Sequence, residues 1–246
     1  MSDNFAETYA AHKHHEHRIG GLQEYLKQLV YGGNDGIVTT FAIVAGFAGA
    51  GMEGAAQIGG IAVLLFGIAN LLADASAMGL GEFLSSRSEQ DAYNAARAGE
   101  LHEIHTNPDF ERRETIEILA EQGITGEDAE AMTEVLMRHP EFLADLMMQY
   151  ELGMPDPSAE NAALNGLATF LSFIVFGVVP LLPYFLFDPT PTTFNMSVVA
   201  TFAALVALGL LRWRATNETV LRCVGETVLV GGICAIVAFA VGLAFR

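Results

Sequence analysis

Five apolar stretches alternate with polar ones along this chain, and one polar stretch is far longer than the others. From residue 28 to 52 the only charged side chain is Asp35, a run long enough to cross a bilayer as a helix. A short loop at 53–57 precedes a second apolar run that starts near Ile58 and passes into a polar helix around residue 89. Three more runs, 162–187, 194–211 and 227–245, close the chain, the first with Pro180 and Pro183 near its far end. Before the first run, Ile19, Leu22, Leu26, Leu29 and Val30 recur at helical spacing, which predicts an amphipathic helix lying at the membrane surface.

The long polar stretch, 88–160, has helical signals of its own. Asn107 suits an N-cap with Pro108 in the first helical position, and Gly123 ends that helix. Thr125 and Asp128 resemble a capping box that opens the next helix, which Pro140 kinks or restarts. Leu136, Leu143, Leu146 and Met147 give it a buried stripe. The pattern predicts three helices here, the first continuous with the second membrane span. The fold class is therefore all-α: a five-helix transmembrane bundle with a three-helix domain inserted between the second and third membrane helices. The chain divides into a polar tail (1–17), the amphipathic helix with spans one and two (18–87), the acidic helical insert (88–160) and spans three to five (161–246).

Charge explains why the stretches differ. The chain is 52% hydrophobic yet carries a net charge of −17, a conflict that a membrane protein with a segregated acidic part resolves. The insert holds 18 acidic residues against four arginines. An acidic surface repels nucleic acid and attracts cations, so nucleic-acid binding is excluded as a function class. With five crossings, eleven of the twelve Lys and Arg fall on one side and Arg246 alone on the other. The positive-inside rule then places the N-terminus and the insert in the cytoplasm. Cys223 and Cys234 lack CxxC spacing and read as packing residues. The tail histidines His12, His14, His15 and His17 read as part of a polar tail, with loose metal binding as the alternative. No basic-then-apolar pattern marks a cleaved signal.

Two groups of side chains carry candidate chemistry. In the second span Asp74, Met78 and Glu82 recur every four residues and so share one helix side. A carboxylate inside a bilayer costs about 2.5–3.5 kcal/mol on insertion scales, so it faces a partner or a watery path. Structural pairing with Asn34 or a backbone group is the bland reading of both carboxylates. Gly79 and Gly81 would let another backbone approach. In the insert, Glu100 with Glu103 and Glu111 with Glu114 form two ExxE pairs, each on one helix face. Facing each other, they repel unless a cation lies between them. Met147, Met148 and Glu151 add thioether and carboxylate ligands that suit transition metals. The alternative is a solvated acidic face. His102, His105 and His139 read as surface histidines. No Glu-x-x-His appears in the insert, which argues against a di-iron oxidase.

The segments GGNDGIVTTFAIVAG and ADASAMGLGEFLSSRSEQD, together with the ExxE/ExxE/Met–Glu pattern, resemble the vacuolar iron transporter family from about Arg18 to the end. The resemblance implies a homodimer of five-span subunits with the path at their interface. It further implies export of Fe(II), and of Mn(II), from the cytosol in exchange for protons. By position, Asp35 and Met78 would line the path and Glu82 its cytoplasmic end. Glu100, Glu103, Glu111, Glu114, Met147 and Glu151 would bind metal. The chain departs from some members at Asn70, where they carry glutamate, with Asp74 one turn further on. It departs again at Met148, where they carry Glu after the methionine. Expected partners are divalent ions, protons, membrane lipid and a second subunit, with no prosthetic group. A bacterial inner membrane is the favoured location and a vacuolar membrane the alternative. The rival functions are a membrane-anchored metal sensor or buffer and, less well supported, a ferroxidase.

Overall fold

The computed structural model describes residues 21–49, 58–159, 161–216 and 218–244. The tail histidines, the 53–57 loop, Ile19 and Arg246 lie outside them. Every regular element among the described residues is helical. In chain order these are α1 (Gly21–Glu24), α2 (Leu26–Gly49), α3 (Ile58–Thr106), α4 (Pro108–Glu121), α5 (Glu127–Leu136), α6 (Pro140–Tyr150), α7 (Ala162–Gly177), α8 (Leu182–Leu186), α9 (Pro191–Ala215) and α10 (Val220–Ala244). Single 3₁₀ turns sit at Pro157–Ala159 and Val179–Leu181. The chain forms two compact units, Met1–Glu82 with Ala163–Arg246, and Phe83–Ala162.

Four helical segments of the described chain are long and apolar enough to cross a membrane: Gly60–Thr106, Ala162–Leu186, Pro191–Ala215 and Val220–Ala244. The remaining expected crossing, α2, is a 24-residue helix. Asn34, Asp35, Thr39, Thr40 and its glycines dilute its apolarity. Leu26, Leu29 and Val30, expected in a separate surface helix, form the first turns of α2 instead.

In the larger unit α2 is a central helix. Ile37, Phe41, Val44 and Ala45, spaced at one helical face, are 5% exposed or less. Phe41, Val44 and Ala45 pack with Val63, Leu181 and Tyr184, while Ile37 packs with Ala204, Leu205 and Leu208. The Phe194 ring stacks between those of Phe41 and Phe239, at 6.4 and 6.2 Å. At Gly36 a methyl group would collide with the Phe173 carbonyl, so α2 and α7 meet backbone to backbone. Gly79 likewise leaves room for the Gly166 carbonyl, whereas Gly81 has no neighbour within 4 Å and serves no such contact here. Pro180 and Pro183 interrupt the third apolar run because each lacks an N–H. The Ser197 hydroxyl donates to the Pro180 carbonyl at 2.6 Å and satisfies it. Large apolar side chains such as Ile61, Leu65, Val199, Leu229 and Ile236 face outward at more than half exposure, a surface suited to lipid.

The smaller unit has its own core of Ile104, Ile118, Leu119, Ala129, Leu136, Leu143, Ala144 and Met147. Asn107 and Pro108 start α4 as expected, but Asn107 caps through its backbone carbonyl, which accepts from Phe110 and Glu111. Gly123, at φ +87°, ends α4, with the Ile124 N–H returning to the Leu119 carbonyl. The Thr125–Asp128 capping box does not form. Gly126, at φ +64°, takes the N-cap position with no side-chain hydrogen bond. Pro140 starts a separate helix, so the last expected helix of the insert is two, α5 and α6.

Candidate functional sites

The larger unit brings carboxylates of α3 to the polar face of α2. The Gln28 amide Nε2 donates to Glu82 Oε1 at 3.0 Å. Asp35 and Asp74 lie within each other's field. The hydrogen bond and this electrostatic proximity fit an antiparallel register: seven residues along α2 match eight along α3, each about two turns. Asp74 also accepts from the Asn70 amide at 2.6 Å, one turn back on α3. Its partner is thus Asn70, and that of Glu82 is Gln28; neither pairs with Asn34. Asp35, Asp74, Met78 and Glu82 are all half-buried. Met78 rests against the Leu71, Ala75 and Phe173 cluster.

Two cavities flank this face. One, of about 660 Å³, is lined by small residues of α2 and α3 (Ala42, Gly46, Ala69, Ala73) together with the Phe47 and Phe66 rings, and Asn70 is its polar residue. The other, of about 560 Å³, runs past Lys27, Tyr31, Asn34, Val230 and the Arg212–Glu226 ion pair of 2.7 Å. Three buried oxygens of α2, Gln28 Oε1, Asn34 Oδ1 and Thr40 Oγ1, have no hydrogen-bond partner. Leaving such an acceptor unpaired costs about 1–3 kcal/mol. The polar content of α2 therefore does not arise from packing alone.

In the smaller unit, α3 supplies Glu100 and Glu103, α4 supplies Glu111 and Glu114, and Glu151 caps α6. Helical periodicity puts each ExxE pair on one face, and the shared core that includes Ile104 of α3 with Ile118 and Leu119 of α4 holds the two helices together. Glu111 is 1% exposed and its Oε2 has no partner. Burial pushes its carboxyl up to about 7, reinforced by the charges of Glu114, Glu100, Glu103 and Glu151. Glu151 is likewise pushed up to about 7 by desolvation and by Glu100, Glu114 and Glu103, with a hydrogen bond to Glu114 adding to the shift. Glu100 is raised by burial and by Glu103 and Glu114. All five carboxylates thus share one field. Among the described residues, however, no three His, Cys, Asp or Glu side chains converge into a ready ligand set. Met147 and Met148 are both fully buried, Met147 inside the apolar core and Met148 outside that cluster.

Sequence reasoning missed three features. Gln28 lies seven residues before Asp35, a spacing that could have placed it on the same face. Asn70 had stood out only for not being glutamate. Arg97 binds Asp145 at 2.6 Å and Glu141 at 2.9 Å, tying α3 to α6, and no local pattern marks that contact.

Comparison with known proteins adds to this geometry. The profile of the VIT family matches residues 26–243. A vacuolar iron transporter of Centaurea cyanus is 32% identical over 95% of this chain and 93% of its own length. Vacuolar iron transporter 1 of Oryza sativa subsp. japonica is 31% identical over 98% of this chain and 94% of its own. A vacuolar iron transporter of Toxoplasma gondii is 33% identical over 98% and 80%.

Proposed function

The chain belongs to the VIT family, whose members are transporters and not enzymes, and on that premise we propose that it moves Fe(II), and Mn(II) with it, out of the cytosol. The observation that carries this reading is the half-buried row Asp74, Met78 and Glu82 on an apolar helix, with Asp35 of α2 in the field of Asp74. Carboxylate oxygens suit a hard dication, and the thioether of Met78 favours a transition metal over Mg or Ca. Asp35, Asp74, Met78 and Glu82 form the path. Helix α2 makes the fifth crossing, since a helix with this polar face is stable in lipid when that face lines a watery route.

The acidic unit collects the metal. Glu100, Glu103, Glu111, Glu114 and Glu151, with Met147 and Met148, close around ions whose charge removes the repulsion among the carboxylates. This unit and the N-terminus lie in the cytosol, a reading that the Lys and Arg distribution over five crossings supports. Two subunits pair across the small-residue cavity between α2 and α3, which brings Asn70 and its neighbour Asp74 to a shared path. Carboxylates that release metal on the far side take up protons there, which makes the transport an exchange.

Flux of Fe(II), Mn(II), Co(II) and Zn(II) into proteoliposomes, alone and in competition, tests the proposal. Uptake that accelerates when the interior is acidic supports exchange. Metal binding without flux overturns transport in favour of a membrane-anchored buffer.

A further inference from the structure

The Gln28–Glu82 contact is unusual for what it leaves undone. Gln28 is 5% exposed, and its Nε2 donates to Glu82. The other atom of the same amide, Oε1, is buried without a partner. Among the described residues no Lys or Arg pairs with Glu82. The carboxylate is therefore countered by a neutral amide alone. A lysine at position 28 would neutralise it permanently; an amide opposes it only while its N–H points that way. Nitrogen and oxygen of a glutamine occupy nearly the same envelope, so a half-turn about the last side-chain torsion exchanges them without repacking. In the turned state the amide oxygen faces the carboxylate, which is repulsive unless a cation lies between.

We infer that Gln28 and Glu82 form a divalent-cation site in which the Gln28 amide turns over, its oxygen replacing its nitrogen at Glu82 when an ion arrives. The inference rests on the transport reading and deepens it by adding a residue that α2 contributes to the path. One amide and two carboxylate oxygens, completed by water, make a hard-oxygen set suited to Mn(II) and Fe(II). The ion-free state is held by the N–H···O bond and the ion-bound state by the metal, so the amide stabilises both. Release then needs no exposed, uncompensated carboxylate.

The test uses the full chain in proteoliposomes, with Mn(II) flux measured against Mn(II) concentration for the wild type, Gln28→Leu, Gln28→Glu and Gln28→Lys. Loss of one ligand oxygen in Gln28→Leu raises KM about tenfold with little change in maximal rate. Gln28→Glu restores a KM at or below that of the wild type, because a carboxylate supplies the same oxygen. Gln28→Lys abolishes flux, because the ammonium occupies the site. A tie that serves packing only predicts the reverse order: Gln28→Lys still donates to Glu82 and transports normally, while Gln28→Glu repels it and fails. That reversed order, or wild-type KM in Gln28→Leu, overturns the inference. If Gln28→Leu elutes as aggregate, the Glu and Lys variants decide alone. A wild-type protein without flux overturns the transport reading itself, whereas a transporting wild type with an indifferent position 28 removes only the amide site.

Discussion

The two groups of carboxylates in this protein meet the same electrostatic problem in opposite ways. On α3 within the larger unit, Asp74 and Glu82 are each given one amide donor, from Asn70 and Gln28. In the smaller unit Glu100, Glu111 and Glu151 have mainly one another, and all three are pushed towards the protonated form. The difference teaches what each arrangement can do with an ion. Spaced carboxylates held by neutral donors present single, shallow stations along a line. Carboxylates crowded into one field hold an unmet demand for positive charge, which protons or a metal can answer. The first arrangement suits passage and the second suits capture.

Breaking the line should have the largest effect. The double variant Asp35→Ala, Met78→Ala is expected to lower Fe(II) flux about a hundredfold, since it removes two of the proposed path ligands, each worth about a factor of ten. Metal binding by the acidic unit, measured by equilibrium dialysis, should persist. Unchanged flux would remove both residues from the path.

Breaking the crowd should act on affinity instead. Glu111→Gln is expected to raise the KM of flux about tenfold while maximal rate at saturating metal stays close to wild type. A fall in maximal rate with unaltered KM would place Glu111 in the translocation step and erase the contrast.

The titration of the crowd gives a third expectation. Burial and the neighbouring carboxylates push Glu111 and Glu151 up to about 7 in the folded unit, against 4.5 for a free side chain, so the folded unit binds more protons between these values. This contribution to stability is complete below pH ~4.5 and is lost as pH rises through about 7. Without metal, intrinsic-rate-corrected hydrogen exchange across α4 and α6 should be faster at pH 8 than at pH 6. Mn(II) added at pH 8 should restore protection. The opposite pH order would show that the acidic groups are not raised. The smallest effect belongs to Arg97→Met, whose two partly exposed ion pairs are worth about 1 kcal/mol together; local exchange in α6 reads it.

Much of this was legible in the chain because it is periodic. Four-residue spacing put Asp74, Met78 and Glu82 on one side, and three-residue spacing paired the glutamates of α3 and α4. Pro108, Gly123, Pro140 and Pro180 marked breaks, since each fixes or removes something local in the backbone. The contacts that cross between elements were not legible. Nothing adjacent to Gln28 or Arg97 identifies Glu82 or Asp145 as a partner. Thr125 and Asp128 failed as a cap because Gly126 between them adopts a left-handed conformation that no spacing rule registers. The low apolarity of α2 was missed for another reason: the run was judged by its single charge, Asp35, while Asn34, Thr39, Thr40 and the glycines also keep it out of the four most apolar segments.

The glycine contacts of α2 carry a mechanical consequence. At Gly36 it touches the backbone of α7, and at Gly49 a methyl group would stand 2.8 Å from the Phe239 carbonyl of α10. Helices that mesh without intervening side chains cannot roll over each other, because any rotation drives a carbonyl into the facing chain. Against α3 the described contacts are the Gln28–Glu82 hydrogen bond, the packing of Phe41, Val44 and Ala45 with Val63, and the Phe47–Phe66 ring pair. The same kind of backbone contact ties α3 to α7, where a methyl group at Gly79 would stand 2.9 Å from the Gly166 carbonyl, so α2, α7, α10 and this part of α3 behave as one stator.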